Sequence, residues 1–199
     1  MTGRLIAVEG GEGSGKTTQA RMLADALGAV FTREPGGTPL GEQIRDLLLG
    51  TEGDAPCDRA EALLMAAARA QHVDRVVVPA LARGDDVVTD RYIGSSLAYQ
   101  GVGRGLGVAA VAAVSEFAVD GVEADLVVLL DVDTAEAVAR LDGSLDRIEQ
   151  AGDEFHARVA AAYRDLAAAD PQHWVIVDGR GTVDEVAQCL QTAVAERLP

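Results

Sequence analysis

The run Gly10-Gly11-Glu12-Gly13-Ser14-Gly15-Lys16-Thr17 fits the pattern G-x-x-x-x-G-K-[ST]. It also holds the only lysine in a chain of 199 residues; every arginine lies elsewhere. One site has therefore kept a compact point charge on a flexible stem, for which a planar guanidinium is a poor replacement. The flanks fit a strand–loop–helix unit. Arg4–Glu9 is short, apolar and β-branched, as a strand should be. From Thr17 to Leu27, apolar residues recur at Ala20, Leu23, Ala24 and Leu27, a helical spacing that Gly28 can end. In such a unit the glycines let successive N–H groups point at an anion, and the helix start adds its partial positive charge. Residues Gly10 to Thr18 are thus expected to hold nucleotide phosphates, with the Thr17 hydroxyl offered to Mg²⁺.

The rest of the chain extends this unit into an α/β fold. Strand-like runs recur at Val30–Arg33, Asp86–Thr89, Leu126–Asp131 and Trp174–Val177. Helical patterns lie between them at Leu40–Leu49, Arg59–Ala82, Ile93–Gln100, Val108–Val119, Ala135–Leu141, Glu154–Ala168 and Val183–Arg197. The alternation predicts a three-layer P-loop fold: a five-stranded parallel sheet, helices on both faces, ligands at the carboxyl ends of the strands. No repeat or Ser/Pro-rich linker divides residues 1–199, so a single domain is expected. Gly101 to Gly107 is too glycine-rich for a helix and reads as a loop. Residues 141–150 carry an Asp-Gly-Ser cluster and a charged tip, and read as a short lid.

Composition narrows the classes. A net charge of −15 disfavours sequence-independent nucleic-acid binding and requires a local arginine cluster wherever a small anion is to bind. No apolar run is long enough to span a membrane, and the N-terminus reaches a strand by Leu5 without the regions of a secretory signal. A cytoplasmic protein is the expectation. Cys57 and Cys189 have no metal-ligand spacing, and His72, His156 and His173 read as surface or helix-face residues.

A P-loop alone leaves switches, motors and kinases open. The guanine-reading N-K-x-D motif requires a second lysine, which is absent. A small-molecule kinase needs a second anion pocket and a closing lid. Two further runs supply candidates: Thr32-Arg33-Glu34-Pro35-Gly36-Gly37-Thr38 after the second strand, and Thr89-Asp90-Arg91-Tyr92 followed by Ser95-Ser96-Leu97-Ala98-Tyr99-Gln100-Gly101 after the third. With these runs the whole chain resembles the bacterial thymidylate kinases.

The resemblance implies transfer of the γ-phosphoryl of ATP to dTMP with Mg²⁺, in a homodimer. It implies that Lys16 and Thr17 serve the ATP phosphates and Mg²⁺, and that Arg91 and Arg45 lie near the dTMP phosphate. Arg69 and Ser96 would meet the thymine edge, Gln100 would lie along the base, and Tyr99 would lie against the sugar. Glu12 matches an acidic position near the sugar 3′-hydroxyl, and Glu34 would support the pocket. The attacking oxygen belongs to an already anionic phosphate, so no strong base is needed, and Asp90 is read as orienting Arg91 or a metal-bound water. Here the P-loop carries no arginine between Gly10 and Gly15, so the catalytic arginine is expected from the lid, as Arg147, with Arg140 as a second contact. Met65 stands where relatives place a stacking phenylalanine, which predicts weaker or broader base recognition. Two alternatives stay open at this point: a nucleoside monophosphate kinase of broader base choice, and a P-loop ATP-binding protein without an acceptor.

Overall fold

A computed structural model describes residues 3–133, 136–137, 140 and 145–198. Its centre is β1 (Leu5–Glu9), whose five residues are all buried. Such a strand needs cover on both faces, and it has it. The other strands are β2 (Val30–Arg33), β3 (Val87–Asp90), β4 (Leu126–Asp131) and β5 (Trp174–Asp178). All pairings are parallel, in the order β2-β3-β1-β4-β5. The register sets Val8 opposite Asp90 on one side and opposite Val128 on the other, so the strand ends that follow share one edge of the sheet.

Alternation along β1 divides the core. Ile6 and Val8 join Leu23 of α1 (Lys16–Leu27) and Leu190 of the C-terminal helix, Val183–Arg197. Leu5 and Ala7 face the other way, toward Val73, Val77, Tyr92 and Val119. That second layer holds α2 (Pro39–Leu49), α3 (Asp58–His72), α4 (Val78–Arg83), α5 (Ile93–Ser96) and α6 (Val108–Val119). It is completed by α7 (Asp153–Ala169); the C-terminal helix is α8.

The chain departs from the expected elements in two places. The single helix read over Arg59–Ala82 is interrupted by a π-turn at Val73–Val77. Pro79 has no N–H for the Arg75 carbonyl and its ring would crowd it, so the helix changes register just before the proline. The loop expected from Gly101 begins later, because a second π-turn carries the helical path through Leu97–Gly103. Its glycines serve close approach: a Cβ on Gly103 would lie 2.7 Å from the Phe155 ring of α7. Of the helix expected over 135–141 only residues 136, 137 and 140 are described, and the lid positions 141–144 lie outside the described residues. Asp146 Oδ1 accepts from the N–H groups of Ile148 and Glu149 at 2.8 and 2.9 Å, holding the lid residues that are described in a turn. No described helix is long and apolar enough to cross a membrane.

Candidate active site

The loop between β1 and α1 is shaped for an anion. Gly13 and Gly15 adopt left-handed φ values of 71° and 84°. A Cβ on Gly13 would come within 2.0 Å of the Ala137 carbonyl. No side chain caps α1 and its first turn has no acidic residue. Among the described residues, the N–H groups of Gly15, Lys16, Thr17 and Thr18 find no protein acceptor. Lys16 is buried, with Nζ 2.9 Å from the Gly11 carbonyl and 3.7 Å from Glu12. Burial and the charge of Arg91 lower its pKa.

Beside this loop the end of β3 delivers Asp90 and Arg91. Asp90 Oδ2 accepts from the Thr17 hydroxyl, while its Oδ1, like Ser14 Oγ, is buried with no partner among the described residues. A hydroxyl and an orphaned carboxylate oxygen are hard donors that suit Mg²⁺, which binds through few protein oxygens and completes its shell with water and phosphate. Thr17 and Asp90 therefore fit the group that the P-loop implies.

Arg91 is a non-glycine residue in the left-handed region, with φ 72°. Its N–H donates to the Val8 carbonyl at 3.0 Å, and its own carbonyl accepts from Thr89 Oγ1 at 2.9 Å. The guanidinium is thereby turned back over the P-loop, where it donates to Gly10 O, Ser95 Oγ and Glu12. Burial opposes its charge, but Glu12, Tyr99, Tyr163 and Asp90 together outweigh that and raise its pKa. Burial pushes the Glu12 carboxyl up, but Arg91, Lys16 and the Tyr99 hydroxyl together bring it to about 2. Glu12 is therefore a fixed anion that accepts from the Tyr99 hydroxyl at 2.7 Å.

These groups open on a cavity of about 250 Å³. Its walls bring together Glu12, Lys16, Thr17, Glu34, Arg45, Met65, Arg69, Asp90, Arg91, Ser96, Tyr99 and Gln100. Arg45 reaches in from α2, donating to the Pro35 carbonyl at 3.0 Å, and burial lowers its pKa. Met65 is a wall residue packed near Leu49. At the far end Arg69 is almost fully used by the protein: Nε donates to Glu34 at 2.7 Å, Nη2 to Tyr92 O and Ser96 Oγ at 3.0 Å, and Nη1 to Ser115 Oγ at 3.3 Å. Burial of Glu34 works against its charge, yet Arg69 and His72 hold its pKa below the ordinary value.

His72 corrects the sequence reading. It is fully buried, with Nδ1 2.8 Å from Glu34 Oε1 and Nε2 2.6 Å from Thr32 Oγ1. The carboxylate can only accept, so Nδ1 carries a proton. A Cβ on Gly37 would meet His72 Cδ2 at 2.8 Å, so the Gly36-Gly37 turn lies against this histidine.

Arg147 also lies elsewhere than expected. It is absent from the cavity wall: Nε donates to the Leu48 carbonyl and Nη2 to Glu61, each at 2.8 Å. The physical reason is local, since the backbone N–H of Arg147 already bonds the Leu49 carbonyl and ties this turn to the end of α2. Arg140 donates to the Gly179 carbonyl at 3.2 Å and pairs with Glu136.

Ser95 and Tyr163 accept from Arg91 Nη1 at 3.1 and 3.4 Å, and behind them stands Glu9, to which the sequence reading gave no role. Glu9 Oε1 accepts from the N–H groups of Tyr92 and Ser95, and Oε2 accepts from Ser95 Oγ at 2.6 Å and Tyr163 OH at 3.1 Å. Burial raises the Glu9 pKa. An acidic residue ending a wholly apolar strand was the available signal.

The chain matches its relatives along their whole length. A family model described as thymidylate kinase matches residues 8–189. Over 203 residues the chain is 44% identical to a thymidylate kinase of Cutibacterium acnes, covering 100% of this chain and 99% of the relative. Over 194 residues it is 50% identical to one of Leifsonia xyli, covering 93% and 91%. A crystal structure of thymidylate kinase from Ehrlichia chaffeensis superposes with a TM-score of 0.81 at 29% identity, covering 98% of this chain and all of that one. With the phosphate loop, the arginine-lined acceptor cavity and full-length matches agreeing, the chain belongs to the thymidylate kinase family.

Proposed function

We propose that the protein transfers the γ-phosphoryl group of ATP to the 5′-phosphate of dTMP, giving ADP and dTDP. The observation that carries this reading is the junction at Asp90-Arg91, where an anion-binding loop and a second cationic cavity meet within one site. ATP phosphates take the free N–H groups of residues 15–18 and Lys16. The dTMP phosphate takes Arg91 and Arg45, which brings its oxygen in line with the γ-phosphorus. Nucleophile and electrophile are both polyanions, so the chain's part is positioning and charge neutralisation, with no base required. Mg²⁺, held by Thr17 and through water by Asp90, supplies further charge neutralisation when bound. Glu12, ionised at any physiological pH, accepts from the sugar 3′-hydroxyl, with Tyr99 beside the sugar.

Ser96 accepts a hydrogen from Arg69, which leaves its own O–H to donate to the 4-carbonyl of thymine. The Arg69 guanidinium retains a single N–H for the same oxygen. Arg147 supplies charge to the transferring phosphoryl group only by exchanging Glu61 and the Leu48 carbonyl for it, which makes closure of residues 145–151 part of the cycle. α6 exposes Phe117 at 89%, and its neighbour α3 exposes Leu63; this face is assigned to pairing of two subunits in the cytoplasm.

The test is ADP release from Mg²⁺-ATP with dTMP, dUMP, UMP, dCMP and dGMP supplied separately. Strong preference for dTMP is expected. Equal rates with all of them would leave a kinase without this substrate, and silence would remove the activity.

A further inference from the structure

Glu61 is fully buried on α3, and above it serves only as the resting partner of Arg147. Three side chains converge on it. Gln100 Nε2 donates to Oε1 at 2.9 Å, Arg104 donates to Oε1 at 3.2 Å and to Oε2 at 3.0 Å, and Arg147 donates to Oε2 at 2.8 Å. Two guanidinium groups against one carboxylate keep it ionised in spite of its burial. Glu61 itself does not line the cavity, whereas Gln100 does.

An ionised carboxylate accepts hydrogen bonds and cannot donate them. The amide of Gln100 must therefore turn its NH₂ to Glu61 and its carbonyl away. No described residue donates to that carbonyl oxygen. A glutamine amide left to itself has nearly isosteric ends and flips to suit either a donor or an acceptor. Gln100 has lost that freedom. The cavity end thus has a fixed polarity, an acceptor at Gln100 beside a donor at Ser96. N3–H and O4 of a thymine or uracil ring match it in order. Cytosine, with a bare N3 and a 4-amino group, mismatches both.

We infer that Glu61 is a specificity-positioning residue: by locking the Gln100 amide as an acceptor, it makes the cavity reject 4-aminopyrimidine nucleotides. This rests on the proposed dTMP reading of the cavity. Sites built to pair a donor reject ligands that lack it, because a buried partner is left unmatched.

The test measures kcat/KM for dTMP and dCMP, together with equilibrium binding of both nucleotides, in the unaltered protein and in Glu61→Gln. The variant is isosteric, and its carbonyl still accepts from Arg104, but it can offer Gln100 either end of an amide. The preference for dTMP over dCMP should fall at least about tenfold, through a higher KM for dTMP and a lower one for dCMP. Glu61→Asp, still an acceptor only, should retain the preference to within about threefold. Equal losses for both nucleotides in Glu61→Gln would overturn the inference and leave Glu61 as a packing anchor. If the unaltered protein binds both nucleotides alike, the inference also fails; if it prefers dTMP in binding but releases no ADP, only the kinase reading fails. Should Glu61→Gln not fold, side-chain amide exchange in the ¹⁵N-labelled protein decides. Slow exchange of the Gln100 NH₂ protons with and without dTMP is expected, and fast exchange in both states would refute the lock.

Discussion

Glu34 offers the sharpest test of how the base end of the cavity is held. Its side chain is 3% exposed and bonds Arg69 at 2.7 Å and His72 at 2.8 Å. Replacing it by leucine leaves the Arg69 guanidinium buried with three neutral hydrogen-bond acceptors but no counter-charge. Removing one member of a buried pair costs about 3–5 kcal/mol, a large share of the about 5–15 kcal/mol that such a domain has. Glu34→Gln should cost less, about 1–3 kcal/mol, because its carbonyl can still accept from Arg69. The introduced amide then faces a proton on His72 Nδ1, which can move to Nε2 and donate to Thr32. The double variant Glu34→Leu/Arg69→Met removes both charges at once. It should recover most of the stability, since well-packed apolar replacements of buried pairs are often neutral or better. It should not recover dTMP binding, because Ser96 loses the donor that fixes its hydroxyl. Urea unfolding followed by circular dichroism, with dTMP titration on the same samples, separates the two effects. A loss below about 1 kcal/mol in Glu34→Leu, the range of an exposed pair such as Arg164–Asp131, would refute the argument.

Other expectations follow from the same geometry. Asp90→Asn keeps an oxygen for Thr17 but removes the charge beside the orphaned position, and should raise the Mg²⁺ concentration for half-maximal rate at least about tenfold with little change in melting temperature; an unchanged Mg²⁺ titration counts against the assigned donors. Arg147→Ala should lower turnover at least about a hundredfold with little change in the dTMP KM, and near-normal turnover would remove the lid role. Met65→Phe should tighten dTMP binding measured calorimetrically if the ring stacks on the base, since a thioether makes weaker contacts with a ring; unchanged affinity would place the position in packing alone. Glu12 titrates at about 2 in the fold against 4.5 ordinarily, so its stabilising contribution is complete above about pH 5 and is lost as pH falls toward 2. The deficit of Glu12→Gln in urea unfolding should therefore be greater at pH 7 than at pH 3, and a deficit that does not shrink in acid would contradict the pairing.

The parts of the site that the sequence disclosed are those built by consecutive residues. The phosphate loop is a backbone shape, and its glycines and single lysine must follow one another. Asp90 and Arg91 were legible for the same reason, since a strand end places them. His72 and Glu61 were not. Their partners stand 38 and 39 positions away or more, and nothing in the local spacing of α3 separates a buried polar face from a solvated one. Arg147 rests away from the cavity because a long side chain follows the nearest acceptors, here the Leu48 carbonyl and Glu61, which its sequence position does not reveal. Gly101 and Gly103 read as part of a loop, whereas they sit on a helical path, with Gly103 close against Phe155 of α7.

The lone lysine has a consequence outside catalysis. Lys16 is the chain's only ε-amine, and it is buried in the nucleotide loop with a lowered pKa. On most proteins, acylation of lysines is spread over a surface and does little. Here a reagent or modifying enzyme has one ε-amine to find, and reaching it ends phosphate binding. Nucleotide and acylating agent compete for one nitrogen, so the fraction of Lys16 left unmodified reports directly how much of the protein carried ATP.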